Sequence, residues 1–163
     1  MGTFSDHITQ SKKNLDFLSK ISCSENYHWD WKVTVCFYSA LHLMNAHIVK
    51  KTQKNYLTHN QVNKLINPYE VMSPAKLDEN TFLAYNKLLS LSRRSRYLLK
   101  ENHDANVDIQ DASLTYDKHF RKSVIHLETI MNYIVNNYNV SFKKRNLKCV
   151  ELETINLNFF KII

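Results

Sequence analysis

A chain with one glycine has few ways to turn sharply. This sequence of 163 residues holds a single glycine, Gly2, and only two prolines, Pro68 and Pro74. Tight hairpins draw on glycine because it reaches positive φ without steric cost. Phosphate-cradling loops draw on it because backbone N–H groups must come close to the ligand. The sequence therefore excludes a Walker loop, a Rossmann fingerprint and a nucleophile elbow. Scarce glycine and long periodic apolar segments together predict an all-α fold.

The periodicity places the helices. Phe4, Ile8, Leu15 and Leu18 share one face, which predicts a first helix from about Phe4 to Ile21. A second helix, about Tyr27 to Lys51, carries two stripes. Val33, Phe37, Leu41, Met44 and Ile48 form one; Val35, Tyr38, His42, Asn45 and Val49 form the other. A helix apolar on two sides belongs at the centre of a fold. Thr58 and Gln61 have capping-box spacing for a short helix ending near Ile66. Ser73-Pro74 reads as an N-cap followed by proline at the first helical position. It predicts a long helix to about Lys100, with an interruption near Glu79-Asn80. Residues Glu101 to Asp111 are polar and acidic and read as a loop. A last helix begins near Ala112. Its Phe120, Val124, Leu127, Met131, Ile134 and Tyr138 fall at spacings of four and three, suiting a core or a dimer seam. After Asn139 the pattern weakens. The expected division is residues 1–139 as helical bundle and 140–163 as a basic and apolar tail, in a short strand pair or an extended arm.

The net charge of +7 favours an acidic partner such as nucleic acid. Cys23, Cys36 and Cys149 are odd in number and lack CxxC spacing, which suits a reducing, cytoplasmic setting. No apolar run approaches a membrane span. Neither HxxxH nor HExxH occurs, and His119 and His126 are too far apart to ligate one ion alone. His103 with Asp104, Asp108 and Asp111 could bind a cation, but a solvated acidic loop suits them better, so no metal and no cofactor is expected.

Ser92-Arg93-Arg94-Ser95-Arg96-Tyr97 puts three arginines within one helical turn, and His103 follows. Guanidinium groups grip phosphate and imidazole moves protons near neutral pH. If the helix continues, Arg96 and His103 lie two turns apart on one face, about 10 Å along the axis. They could then flank one phosphodiester, with arginine stabilising charge and histidine acting as general acid or base. A solvated basic helix face beside a loop histidine has the same sequence. Tyr38, His42 and Asn45 could line a cleft or form an internal hydrogen-bond network. His59, near a helix start, reads as a surface or capping residue. The basic stretch from Lys143 to Lys148 could touch phosphates or simply be solvated.

The stretch Asp30-Trp31-Lys32-Val33-Thr34-Val35-Cys36-Phe37-Tyr38-Ser39-Ala40-Leu41-His42 resembles the DW-x-V-T-x-x-FY-x-A-LH helix of small bacterial HEPN-like proteins. Leu91 to Tyr97 resembles their SR-x-[AS]-RY helix, and the order of elements agrees from roughly Phe4 to Asn139. The resemblance implies an up-and-down bundle of four to five helices that often dimerises. It also implies a metal-independent endoribonuclease or RNA-binding protein of toxin–antitoxin or phage-defence type, with an R-x4-6-H motif at a dimer cleft. Arg96 to His103 has the R-x6-H spacing, so Arg96 and His103 would be catalytic. Arg93, Arg94, Tyr97 and Lys100 would guide the strand, with Tyr38, His42 and Asn45 beside them. Implied partners are RNA, a second copy of the chain and a cognate antitoxin or defence protein, with no membrane. Where the family often has a small polar residue after the motif arginine, this chain has Tyr97. Some HEPN proteins are inactive adaptors that bind a partner protein or nucleotide, and that alternative stays open.

Overall fold

A computed structural model describes residues 2–24, 28–55, 58–97 and 115–163. The chain is mostly helical. Helices α1 (Phe4–Ser24), α2 (Trp29–Thr52), α3 (His59–Ile66), α4 (Glu79–Tyr97) and α5 (Asp117–Asn137) precede strands β1 (Arg145–Leu147) and β2 (Phe160–Ile162). Helix α2 is the hub, packing against α1, α3, α4 and α5. Both of its predicted stripes explain this. Val33, Phe37, Met44 and Ile48 are fully buried, and Val35 and Val49 nearly so. The second stripe surfaces only at its polar members, Tyr38, His42 and Asn45.

The termini follow from side chains close in sequence. Thr3 and Asp6 exchange amide hydrogen bonds at the start of α1, at 2.8 and 3.1 Å. Thr58 and Gln61 form the expected capping box on α3. Without glycine, two other residues take the left-handed conformation at the ends of α2: His28 at φ 62° and Gln53 at φ 58°. The Gln53 N–H closes the helix on the Val49 carbonyl at 2.9 Å.

Two boundaries differ from the sequence expectation. Ser73-Pro74 does not open a helix; it lies in a run of turns, and α4 begins at Glu79. Asp78 supplies the competing start, accepting from the Thr81 amide at 2.9 Å and its hydroxyl at 2.7 Å. The last helix starts at Asp117 rather than near Ala112. There the Tyr116 amide donates to His119 Nδ1 at 3.0 Å.

Phe120, Val124, Leu127, Met131 and Ile134 are wholly buried within the chain. That stripe is core, and it leaves no dimer seam on this face of α5. The tail shares the same core. Strands β1 and β2 pair in parallel, with Arg145 opposite Phe160 and Leu147 opposite Ile162. Leu147, Leu152, Leu157 and Phe160 pack into the helical cluster. Glu128 of α5 anchors the approach to β2 by accepting from the Asn158 and Phe159 amides. Arg145 interrupts the expected basic surface: it is 95% buried and bonded to Asp16, so it is a structural clamp. Among the described residues no helix is long and apolar enough to cross a membrane.

His47 ties three elements together. Its Nε2 donates to the Ala75 carbonyl at 2.9 Å, and its Nδ1 accepts from the Tyr138 hydroxyl at 2.6 Å. Burial holds its imidazole below the ordinary range, against the opposing Ala75 hydrogen bond. Burial is also the first cause of the same shift at His42, His59, His119 and His126. The unfolded chain, with imidazoles near about 6.5, therefore binds more protons than the folded one as pH falls. Stability should hold above about pH 6.5 and drop as pH falls below it. Glu128, whose carboxyl burial pushes up, opposes this only lower, in the carboxylate range. Thermal melts between about pH 7.5 and 5.5 check the expectation; a flat or rising midpoint across that window contradicts it.

Candidate functional site

Helix α4 presents its arginines in two directions. Arg93 and Arg96, one turn apart, face α3 and the exposed edge of α2. Arg94 instead lies toward α5, where burial first and then the Arg94 charge hold His119 low. The three arginines therefore do not all face one way: Arg93 and Arg96 act on His59, and Arg94 on His119. His103 and Lys100 lie outside the described residues.

Arg96 is the centre of the arrangement. Its Nε donates to the Ser92 carbonyl at 3.3 Å and its Nη1 to the Tyr38 hydroxyl at 3.5 Å. Its guanidinium carbon lies 5.2 Å from the Tyr97 ring centre, 5.9 Å from that of Tyr38 and 6.0 Å from that of Phe37. Such contacts hold a cation by ring quadrupoles, at about 0.5–1 kcal/mol each near a surface. Tyr38 and Tyr97 are 36% and 59% exposed, so the guanidinium has two accessible aromatic rings beside it.

Phe37 is the floor of this site and has no exposed surface. Beyond Arg96 it meets Tyr38 at 5.6 Å and His59 edge-on at 5.3 Å. The His59 imidazole is held low by burial, then by the charges of Arg96 and Arg93. Its position follows from the Thr58 capping box, which sets the first turn of α3. The sequence reads His59 as a surface or capping residue; Thr58 is the cap, His59 is half-buried, and the ring it meets is not legible in the local pattern. Between α3 and α4 runs a polar groove of about 490 Å³, lined by Asn60, Asn63, Lys64, Asn86 and Arg93 among others. Asn63 donates to Asn86 across it.

One turn beyond Tyr38, His42 joins a second network. Its Nδ1 faces His7 Nδ1 at 3.2 Å, and His7 Nε2 meets Asn55 Oδ1 at 3.0 Å. The amide oxygen only accepts, so His7 carries hydrogen on Nε2 and accepts from His42 at Nδ1. Burial, then the nearby His7, keeps His42 low. The expected network on this stripe thus exists for His42, through partners on α1 and the α2–α3 connection that the sequence did not indicate. Tyr38 turns to Arg96 instead, and Asn45 is half-buried one turn further along α2. Among the described residues no three His, Cys, Asp or Glu side chains converge as a metal-ligand set.

Arg96, Tyr38, Tyr97 and His59 together can bind an anion and a flat ring at once, with a neutral imidazole alongside. Comparison with family models, curated proteins and solved structures returns no significant match to this chain.

Proposed function

We propose that this chain is a HEPN-like, metal-independent endoribonuclease or RNA-binding protein of a prokaryotic toxin–antitoxin or phage-defence system. The observation that carries the reading is Arg96 between the exposed rings of Tyr38 and Tyr97, with Arg93 one turn away. A guanidinium fork matches a phosphate, and an adjacent ring stacks an unpaired base. The +7 charge supports a nucleic-acid partner. In this reading Arg96 holds the scissile phosphate, and His103 of the R-x6-H spacing does acid–base work.

The test is cleavage of a labelled single-stranded RNA in EDTA by wild type, Arg96→Ala and His103→Ala. Loss of about 100-fold or more in the variants is the expected result. Equal rates in all three remove the pair from consideration. The non-catalytic adaptor has its own supporting observation. Phe17 and Trp31, 50% and 60% exposed, line a mostly apolar cleft with Ile21 at the N-terminal end of α2. Under that reading no RNA is cut by any of the three proteins.

A further inference from the structure

A second imidazole shares the Phe37 ring with Arg96. We propose that His59 is an acid–base residue of this same site, taking the 2′-hydroxyl proton of a single-stranded RNA whose scissile phosphate rests on Arg96. This rests on the ribonuclease reading above.

Position comes first. His59 is the first residue of α3, and the reciprocal Thr58–Gln61 bonds set the turn that carries it. Its ring stands edge-on to Phe37 at 5.3 Å and 65°. The Arg96 guanidinium reaches the same Phe37 ring from α4 at 6.0 Å. A fully buried ring thus has an imidazole within 5.3 Å and a guanidinium within 6.0 Å of its centre, from two different helices, independently of the sequence spacing that singled out His103. Each is half-buried, and the exposed Tyr38 ring adjoins both Phe37 and Arg96.

Chemistry follows. A base must be neutral at working pH, and burial together with Arg96 and Arg93 favours the neutral imidazole. Neutral His59 accepts the proton as the 2′-oxygen attacks phosphorus. The new O2′–P bond forms as the P–O5′ bond breaks, and the leaving 5′-oxygen takes a proton from solvent. His59 then returns its proton to solvent. The products are a 2′,3′-cyclic phosphate and a 5′-hydroxyl end, and nothing is oxidised or reduced. Arg96 stabilises the charge that builds on the phosphoryl oxygens.

The experiment uses the full chain with a labelled single-stranded RNA in EDTA, comparing wild type, His59→Ala, His59→Asn and His103→Ala. The expected result is a loss of about 100-fold or more in cleavage rate for both His59 variants. RNA affinity should stay within about threefold of wild type. The acid limb of the wild-type pH–rate profile should lie below about pH 6.5 and be absent from both variants. Added imidazole should restore part of the rate in His59→Ala. A DNA strand of the same sequence should bind and stay intact, because it lacks the 2′-hydroxyl. Cleavage by His59→Asn at the wild-type rate would overturn the assignment, since asparagine can keep the helix start but cannot carry the proton. If both His59 variants cleave normally and only His103→Ala fails, His59 is rejected and the ribonuclease reading stands. If wild type cuts no RNA in EDTA, both are overturned.

Discussion

Replacing Phe37 with alanine is expected to cost about 3–5 kcal/mol, the range for removing a fully buried aromatic ring. For a domain of this length that corresponds to a fall of roughly 10 °C in Tm. The ring has no exposed surface and lies within 6.0 Å of Tyr85 as well as the site residues. Its loss leaves a cavity that the interlocked α2, α3 and α4 cannot easily close. The effect should also be local. Tyr38, His59 and Arg96 all lean on this ring, so RNA binding or cleavage should suffer more than in Leu88→Ala, a comparable core truncation in α4. Phe37→Leu, which keeps much of the apolar volume but loses the flat face, should cost less stability and still impair the site. Chemical denaturation measures the first quantity. A cost below about 1 kcal/mol for Phe37→Ala would show that the ring is not the floor described.

Arg145→Ala is expected to release the C-terminal tail and cost about 2–3 kcal/mol. The guanidinium donates from Nε to Asp16 at 2.8 Å, from Nη1 to the Lys143 carbonyl at 3.0 Å and from Nη2 to the Lys12 carbonyl at 3.3 Å. The figure is kept below that of a fully buried ion pair because the Asp16 side chain is 43% exposed and can be rehydrated. Burial opposes the Asp16 charge, but hydrogen bonds from Arg145 and Lys143 outweigh it and hold the carboxyl below the usual range. Asp16→Ala should be at least as damaging, since it strands the buried cation rather than removing it. Limited proteolysis reads the tail directly. Residues 140–163 should be clipped before the helices in either variant. A tail as resistant as in wild type would mean that the apolar contacts of Leu147 and Phe160 suffice to hold it.

How much of this was legible can be judged from particular elements. The α3 capping box, the two-sided α2 and the apolar stripe of α5 are local patterns, and each lies where its periodicity or cap places it. Pro74 misled because proline at a first helical position is only permissive. Asp78, four residues on, offers the Thr81 amide a real acceptor, and the helix starts there. Arg145 read as part of a basic stretch, solvated or touching phosphates, because nothing in a one-dimensional pattern shows that Asp16, more than a hundred positions away, will close over it. The site divides the same way. Arg96 and Tyr38 were visible as a basic turn and an interrupted stripe. His59 was visible only as a helix start, because its meaning depends on which ring it meets.

The near absence of glycine, the spacing of apolar residues and the capping pairs are properties of the chain within a few turns, and they were enough to require a helical bundle with α2 inside. The partition of Arg93 and Arg96 from Arg94, the pairing of His42 with His7, and the meeting of His59 and Arg96 on Phe37 are different in kind. They depend on how helices rotate and slide against one another when the core closes. That is settled by packing many side chains at once, and no short stretch of sequence carries it.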